Sequence, residues 1–159
     1  MTSERMLVRI DSAPLRSTEL EGFVATPASG GIVVFAGVVR DHHDGRAVRR
    51  IEYAAAAPLA EAKLAEIAGE ALRDSAIHRV AAVHRVGLLE VGEASVIVAA
   101  SAAHRDDAFR VARFLIDRIK ETLPVWKREH FADGTAEWAE GFTIPAADRA
   151  KGALRAEVR

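Results

Sequence analysis

The stretch from His104 to Trp138, HRDDAFRVARFLIDRIKETLPVWKREHFADGTAEW, decides the fold class. In its first half Ala108, Val111, Ala112, Leu115, Ile116 and Ile119 recur at helical spacing, which predicts one amphipathic helix over His104–Leu123. Pro124 cannot continue that helix and ends it. Val125–Phe131 reads as a strand, Asp133-Gly134 as a hairpin turn and Thr135–Trp138 as the partner strand. A helix that feeds a tight hairpin argues against a doubly wound parallel sheet, which needs a helix after nearly every strand.

Working upstream, Met6–Ile10, Ile32–Val39, Val48–Tyr53, Arg79–Val86 and Ala94–Ala100 have strand character. Ser17–Val24 reads as a short helix capped by Ser17 or Thr18. Leu59–Leu72 is a second helix with Pro58 in its first turn, and Gly87–Gly92 is a connection between two strands. The order predicts an α+β fold, a mainly antiparallel sheet with helices packed on one face. No repeat, linker or shift in composition divides the chain. One domain over 1–144 is expected, followed by a charged, Ala-rich tail at 145–159, frayed or disordered.

The 159 residues suffice for one core, and 50% are hydrophobic, but 32 are Ala, so few bulky side chains fill it. Charge is nearly balanced at -1, which excludes a nucleic-acid binder driven by bulk positive charge. The absence of cysteine excludes disulfides, thiolate metal sites and a cysteine nucleophile. Arg9 and Asp11 interrupt the N-terminal segment, so no secretory signal is read there. The apolar runs at 30–39 and 94–103 are about half a membrane span, and a cytoplasmic protein is expected.

Chemistry concentrates in Lys120-Glu121-Thr122-Leu123-Pro124-Val125-Trp126-Lys127-Arg128-Glu129. The chain has 18 Arg and only four Lys, yet two of those lysines stand around one proline. Arginine cannot lose its proton at useful pH, whereas a lysine crowded by cations or stripped of water can become a neutral amine. The structural alternative is a Lys120 that complements a helix C-terminus and a Lys127 that decorates a strand. Ser101-Ala102-Ala103-His104-Arg105-Asp106 places His104 and Arg105 at a helix N-terminus, suited to a phosphate or to a surface ion pair with Asp106 or Asp107. Phe35-Ala36-Gly37-Val38-Val39-Arg40 is a strand that ends in a charge, with Gly37 marking a bulge or a close backbone approach. Asp41-His42-His43-Asp44 is rejected as a metal site, because adjacent histidines on extended chain point to opposite sides. His84-Arg85 reads as a half-buried polar face.

In order and spacing, these segments resemble the large, catalytic subunit family of molybdopterin synthase. The resemblance rests on Phe35-x-Gly37-x-Val39-Arg40, Ile51-Glu52-Tyr53, His84-Arg85-Val86-Gly87, Gly92-Glu93, Ser101-x-x-His104-Arg105 and Lys120-x-x-x-Pro124-x-Trp126-Lys127-x-Glu129. It implies an α/β-hammerhead-like fold and a homodimer at the centre of a heterotetramer. It implies sulfur transfer to cyclic pyranopterin monophosphate, forming the molybdopterin dithiolene. The donor is a small ubiquitin-like partner with a C-terminal Gly-Gly thiocarboxylate, and no resident cofactor or metal is called for. Lys120 and Lys127 match the family's essential lysines; Arg40, His104 and Arg105 match its anion-binding set. Val38, Val39, Arg128 and Glu129 complete the substrate-binding segments. Val38 stands where some relatives have Lys, Ala54–Ala57 replaces a stretch that is often acidic and aromatic, and Gly141-Phe142 stands where some supply an Arg.

A non-catalytic module that binds a phosphorylated ligand or a ubiquitin-like tail is the competing reading. The lysines discriminate, since anion binding alone would be served by the arginine this chain prefers. Helix length adds a constraint: Arg105 and Lys120 lie roughly 22 Å apart at about 1.5 Å per residue, too far for one pterin. Either they serve different ligands or one site combines residues from two protomers.

Overall fold

The computed structural model describes residues 1–138. The tail expected at 145–159, the domain end at 144 and Gly141-Phe142 lie outside the described residues. In chain order the elements are β1 (Met6–Asp11), α1 (Ser17–Val24), β2 (Gly31–Val38), β3 (His42–His43), β4 (Arg46–Ala55) and α2 (Ala57–Ala71). They continue with β5 (Ile77–Arg85), β6 (Gly87–Glu90), β7 (Ala94–Ala102), α3 (Arg105–Thr122), β8 (Val125–Phe131) and β9 (Ala136–Trp138). The arrangement is α+β.

One sheet runs β1-β5-β7-β2, with β1 parallel to β5 and the other two pairs antiparallel. Alternation sends Val80, Ala82, Val96, Val98 and Ala100 to one face, where they pack with Leu64, Ile67, Leu115 and Ile119 of α2 and α3. Ala81, Val83, Ile97 and Ala99 point the other way and pack with Leu20 and Val24 of α1. Two helices therefore share a face, as expected, and the third covers the opposite one. The central strands are sealed on both sides. This is why they read as near-continuous apolar runs, and why small alanines serve there: helix and strand approach closely.

The second sheet runs β3-β4-β8-β9, with β6 also paired to β4. Its β6 occupies the segment read as a plain connection; Leu89 is fully buried there and holds the strand down. The β3–β4 hairpin turns at Asp44 and Gly45, both with positive φ (49° and 75°), the geometry of a two-residue hairpin loop. No side chain of Ser17 or Thr18 caps α1, whose cap position is Arg16. Burial of Leu20 and Val24 and the Arg9–Glu19 ion pair at 2.8 Å fix this helix instead.

At the start of β2, Gly30 and Gly31 let the strand run against the entry to α3. A Cβ on Gly30 would strike the Ala103 carbonyl oxygen, and one on Gly31 would sit 3.0 Å from Arg105 Cα. The strand and α3 then travel side by side. Both reach, at their far ends, the space enclosed with β4 and β8.

Candidate functional site

That space is a cavity of about 140 Å³ lined by Gly37, Val38, Arg40, His42, Ile51, Tyr53, Ser95, Lys120, Lys127 and Glu129. Lys120 comes from the last turn of α3, and Lys127 and Glu129 from β8. The corner between them is rigid, because Leu123, Pro124 and Val125 are all buried and the Leu123 N–H closes the helix on the Ile119 carbonyl at 3.0 Å. Pro124 stops the helix, and its buried neighbours fix where the next strand departs.

The β4–β8 register sets Tyr53 opposite Lys127 and Ile51 opposite Glu129, so all four share the face toward the cavity. Glu129 is buried, with a side chain only 4% exposed, and its Oε1 lies 3.4 Å from Lys127 Nζ. Lys120 is exposed along much of its side chain, yet desolvation of its amine, with the Lys127 charge second, lowers its pKa from the usual 10.5. Both effects act against the ammonium form. Arg40 adds a third cation to the rim.

Behind this wall stands a polar stack. Burial raises the Tyr53 phenol pKa against a hydrogen bond to the Ser95 hydroxyl, which itself donates to the Gly37 carbonyl at 3.3 Å. The Tyr53 ring meets His84 edge-on at 5.2 Å. His84 Nδ1 lies 2.8 Å from the Arg85 carbonyl, an acceptor only, so Nδ1 carries the proton and Nε2 is bare. Burial lowers the pKa of this imidazole to about 4, the hydrogen bond opposing and the Lys120 charge assisting. His84 and Arg85 are buried rather than half-buried, because helices cover β5 on both faces; Arg85 pairs with Glu93 at 2.7 Å.

The cavity gathers Val38, Arg40, Lys120, Lys127 and Glu129 from the residues singled out in the sequence. Val39 points into the core and Arg128 lies on the opposite face of β8, across from Glu52. His104 and Arg105 stand exposed at the other end of α3. Gly37 is both a close approach and a bulge: the β2–β7 register shifts after it, and an added Cβ would lie 2.9 Å from Val96 Cγ1. Composition and local spacing assign no site role to Tyr53 or Ser95, and for His42 they raise only the metal reading that is rejected. Ile51 and Tyr53 do share a face in the sequence pattern, but the register that puts them against Glu129 and Lys127 is a long-range pairing. Among the described residues no three His, Asp or Glu side chains gather to hold a metal, and no helix is long and apolar enough to cross a membrane.

Residues 10–122 match the family described as MoaE protein. A molybdopterin synthase catalytic subunit from a Nostoc species is 40% identical over 131 residues, 81% of this chain and 79% of that one. Catalytic subunit 1 from Mycobacterium tuberculosis is 42% identical over 130 residues, 82% and 88% of the two chains. The crystal structure of molybdopterin synthase from Staphylococcus aureus superposes with a TM-score of 0.78 at 33% identity, over 87% of this chain and 98% of that one.

Proposed function

The chain belongs to the MoaE protein family, and from that membership we propose that it is the catalytic subunit of a molybdopterin synthase. It transfers sulfur from the C-terminal thiocarboxylate of a small ubiquitin-like partner to cyclic pyranopterin monophosphate, forming the dithiolene, in the cytoplasm. The observation that carries this reading is the pair Lys120 and Lys127 on one cavity, with the Lys120 amine held below its ordinary pKa. A neutral amine can accept a proton or attack a carbonyl, neither of which an arginine does. The thiocarboxylate sulfur forms the new C–S bond on the pterin side chain as a C–O bond at that carbon breaks, a lysine passing a proton to the departing oxygen; water then cleaves the acyl–sulfur bond, leaving the sulfur on the pterin and a carboxylate on the partner. Arg40, with His104 and Arg105, provides charge for the substrate phosphate.

A cavity of about 140 Å³ is smaller than the roughly 300 Å³ at which small-molecule sites begin, and Arg105 is remote from it. A second protomer resolves both points. β2 is an edge strand of eight uncharged residues, with Ile32, Phe35 and Val38 exposed. It runs alongside α3, its Gly31 end near Arg105 and its Val38 end at the cavity, roughly 23 Å apart at about 3.3 Å per residue. Antiparallel pairing of two such edges about a two-fold axis sets each Gly31 end beside the other chain's Val38 end. His104 and Arg105 of one protomer then approach Arg40, Lys120 and Lys127 of its neighbour.

The test combines the purified chain with thiocarboxylated small partner and the cyclic pterin, and seeks the dithiolene by mass. Formation of that product supports the reading. Binding of both ligands without product would make the chain a binding module.

A further inference from the structure

Among the described residues Glu129 is the only acidic one lining the cavity, and its buried Oε1 has a second neighbour besides Lys127. His43 Nδ1 lies 3.3 Å from the same oxygen. The other ring nitrogen, Nε2, lies 3.1 Å from Asp44 Oδ2, on a carboxylate that is 88% exposed. A continuous file therefore runs from solvent at Asp44, through His43 and Glu129, to the amine of Lys127. The hairpin makes this possible: the left-handed pair Asp44-Gly45 folds β3 back over β4 and brings His43 across to β8.

A carboxylate this buried is costly unless it is held by donors or cations. Here one oxygen serves two claimants. While His43 shares Oε1, Lys127 receives part of the counter-charge. Without His43 the whole carboxylate falls to Lys127, which is then bound more tightly. The other groups facing the cluster are Lys120 and Arg40, both cationic, His42 with Asp41 Oδ1 at 2.8 Å, and the Tyr53 phenol. The one carboxylate among these, Asp41, is exposed and turned to His42, and it is not part of the cavity lining where Glu129 meets the Lys127 amine. Arg46, beside His43 in the hairpin, is taken by Glu137 at 3.0 Å and Asp133 at 3.6 Å.

We propose that His43 is a positioning residue for Lys127: by sharing Glu129 Oε1 it limits the hold of the buried carboxylate on the amine and leaves that amine able to react. The assignment rests on the reading of Lys127 as a reactive amine, and it gives the His-His motif a role without a metal.

The test measures reaction of Lys127 with a small acylating reagent at a fixed pH near neutrality, by peptide mass, on the full chain without partner or pterin. His43→Leu slows labelling by roughly threefold to tenfold, because the undivided carboxylate then holds the amine away from the reagent. His43→Asn, whose amide places a donor near the Nδ1 position, restores the rate. Glu129→Gln speeds labelling, and adding His43→Leu to it changes nothing further, because the carboxylate through which His43 acts is gone. Unchanged labelling in His43→Leu overturns the proposal, as does an equal slowing in the Glu129→Gln background. If the leucine variant does not fold, His43→Ala carries the same cycle. Since no sulfur is transferred in this experiment, the labelling rates decide the role of His43 even in a chain that fails to make dithiolene.

Discussion

Tyr53 and Lys127 stand directly opposite each other across the β4–β8 ladder, and this pairing sets a cavity amine against a buried ring stack that ends at His84. The wall behind the lysines is thus buried, Tyr53, Ser95 and His84 all being largely shielded from solvent. Water is removed from one side of the cavity, and the cations on the other side repel one another. Both conditions make an ammonium group easier to deprotonate.

Replacing Lys120 tests that logic with two variants. Lys120→Ala removes the amine, whereas Lys120→Arg keeps the charge and loses the capacity to deprotonate. Both are expected to lower dithiolene formation by roughly a hundredfold or more, as loss of a proton-transferring group does. The fold survives, because only the last turn of α3 is altered. The sign of the stability change is also fixed. Folding lowers the Lys120 pKa, so the unfolded chain binds its proton more readily, and the partly desolvated charge is a cost below the folded pKa. Lys120→Met is therefore at least as stable as the parent at neutral pH, and the difference fades as pH rises through the lysine range. Urea midpoints against pH check this.

His84 makes an acid-side prediction. Its imidazole falls from the ordinary 6.5 to about 4 on folding, chiefly through burial. The contribution to stability is full above 6.5 and is lost as pH falls toward 4, amounting to about 3 kcal/mol over that window. Urea melts across that range should show the parent losing this increment while His84→Gln, which cannot titrate, lacks that part of the slope. Parallel pH dependence in the two proteins would contradict a buried neutral His84.

What the sequence disclosed follows from which forces are local. The bounds of α1 and β8 were legible residue for residue, since helical spacing and the Pro124 break are written in neighbouring positions. The segment Gly87–Glu90 was not, because a short run between glycines looks like a turn until β4 offers it a partner. The two lysines stood out by composition alone. Tyr53 and Ser95 did not, and His43 suggested only a rejected metal site, because their places around Lys127 and Glu129 come from sheet register and a hairpin fold-back. His84 looked half-buried because the helix on each face of β5 cannot be counted from β5 itself.

Gly30 joins the fold to the His104–Arg105 corner. A methyl group there meets a backbone carbonyl, Ala103 O, which cannot rotate away as a side chain would. Gly30→Ala should cost about 1–3 kcal/mol, a drop of several degrees in thermal midpoint, and displace the His104–Arg105 corner. Gly22→Ala is the contrast: within α1 nothing lies within 4 Å of the added carbon, and the helix gains up to about 1 kcal/mol. Calorimetry of the two variants, with amide spectra reporting on Arg105, decides whether close approach at the β2 start is what holds that corner.

The composite site gives the last prediction. Val38 is 53% exposed near the end of an uncharged edge strand, and a charge there blocks edge pairing without entering the core. Val38→Glu should shift the chain to monomer in sedimentation and abolish turnover while its melting curve stays cooperative. Mixing chains separates that outcome from simple damage to the cavity, which Val38 also lines. Lys120→Ala and Arg105→Ala are each expected to be inactive as homodimers, since in a composite site both of their sites would lack a component. In a mixed dimer, one site takes its lysines from the Arg105→Ala chain and its Arg105 from the Lys120→Ala chain, and is whole. The other site lacks both. With random exchange half of the dimers are mixed and each holds one good site, so activity returns to about a quarter of the parent level. No recovery in verified mixed dimers would mean that each site lies within one chain, and that the distance between Arg105 and Lys120 reflects two separate ligands.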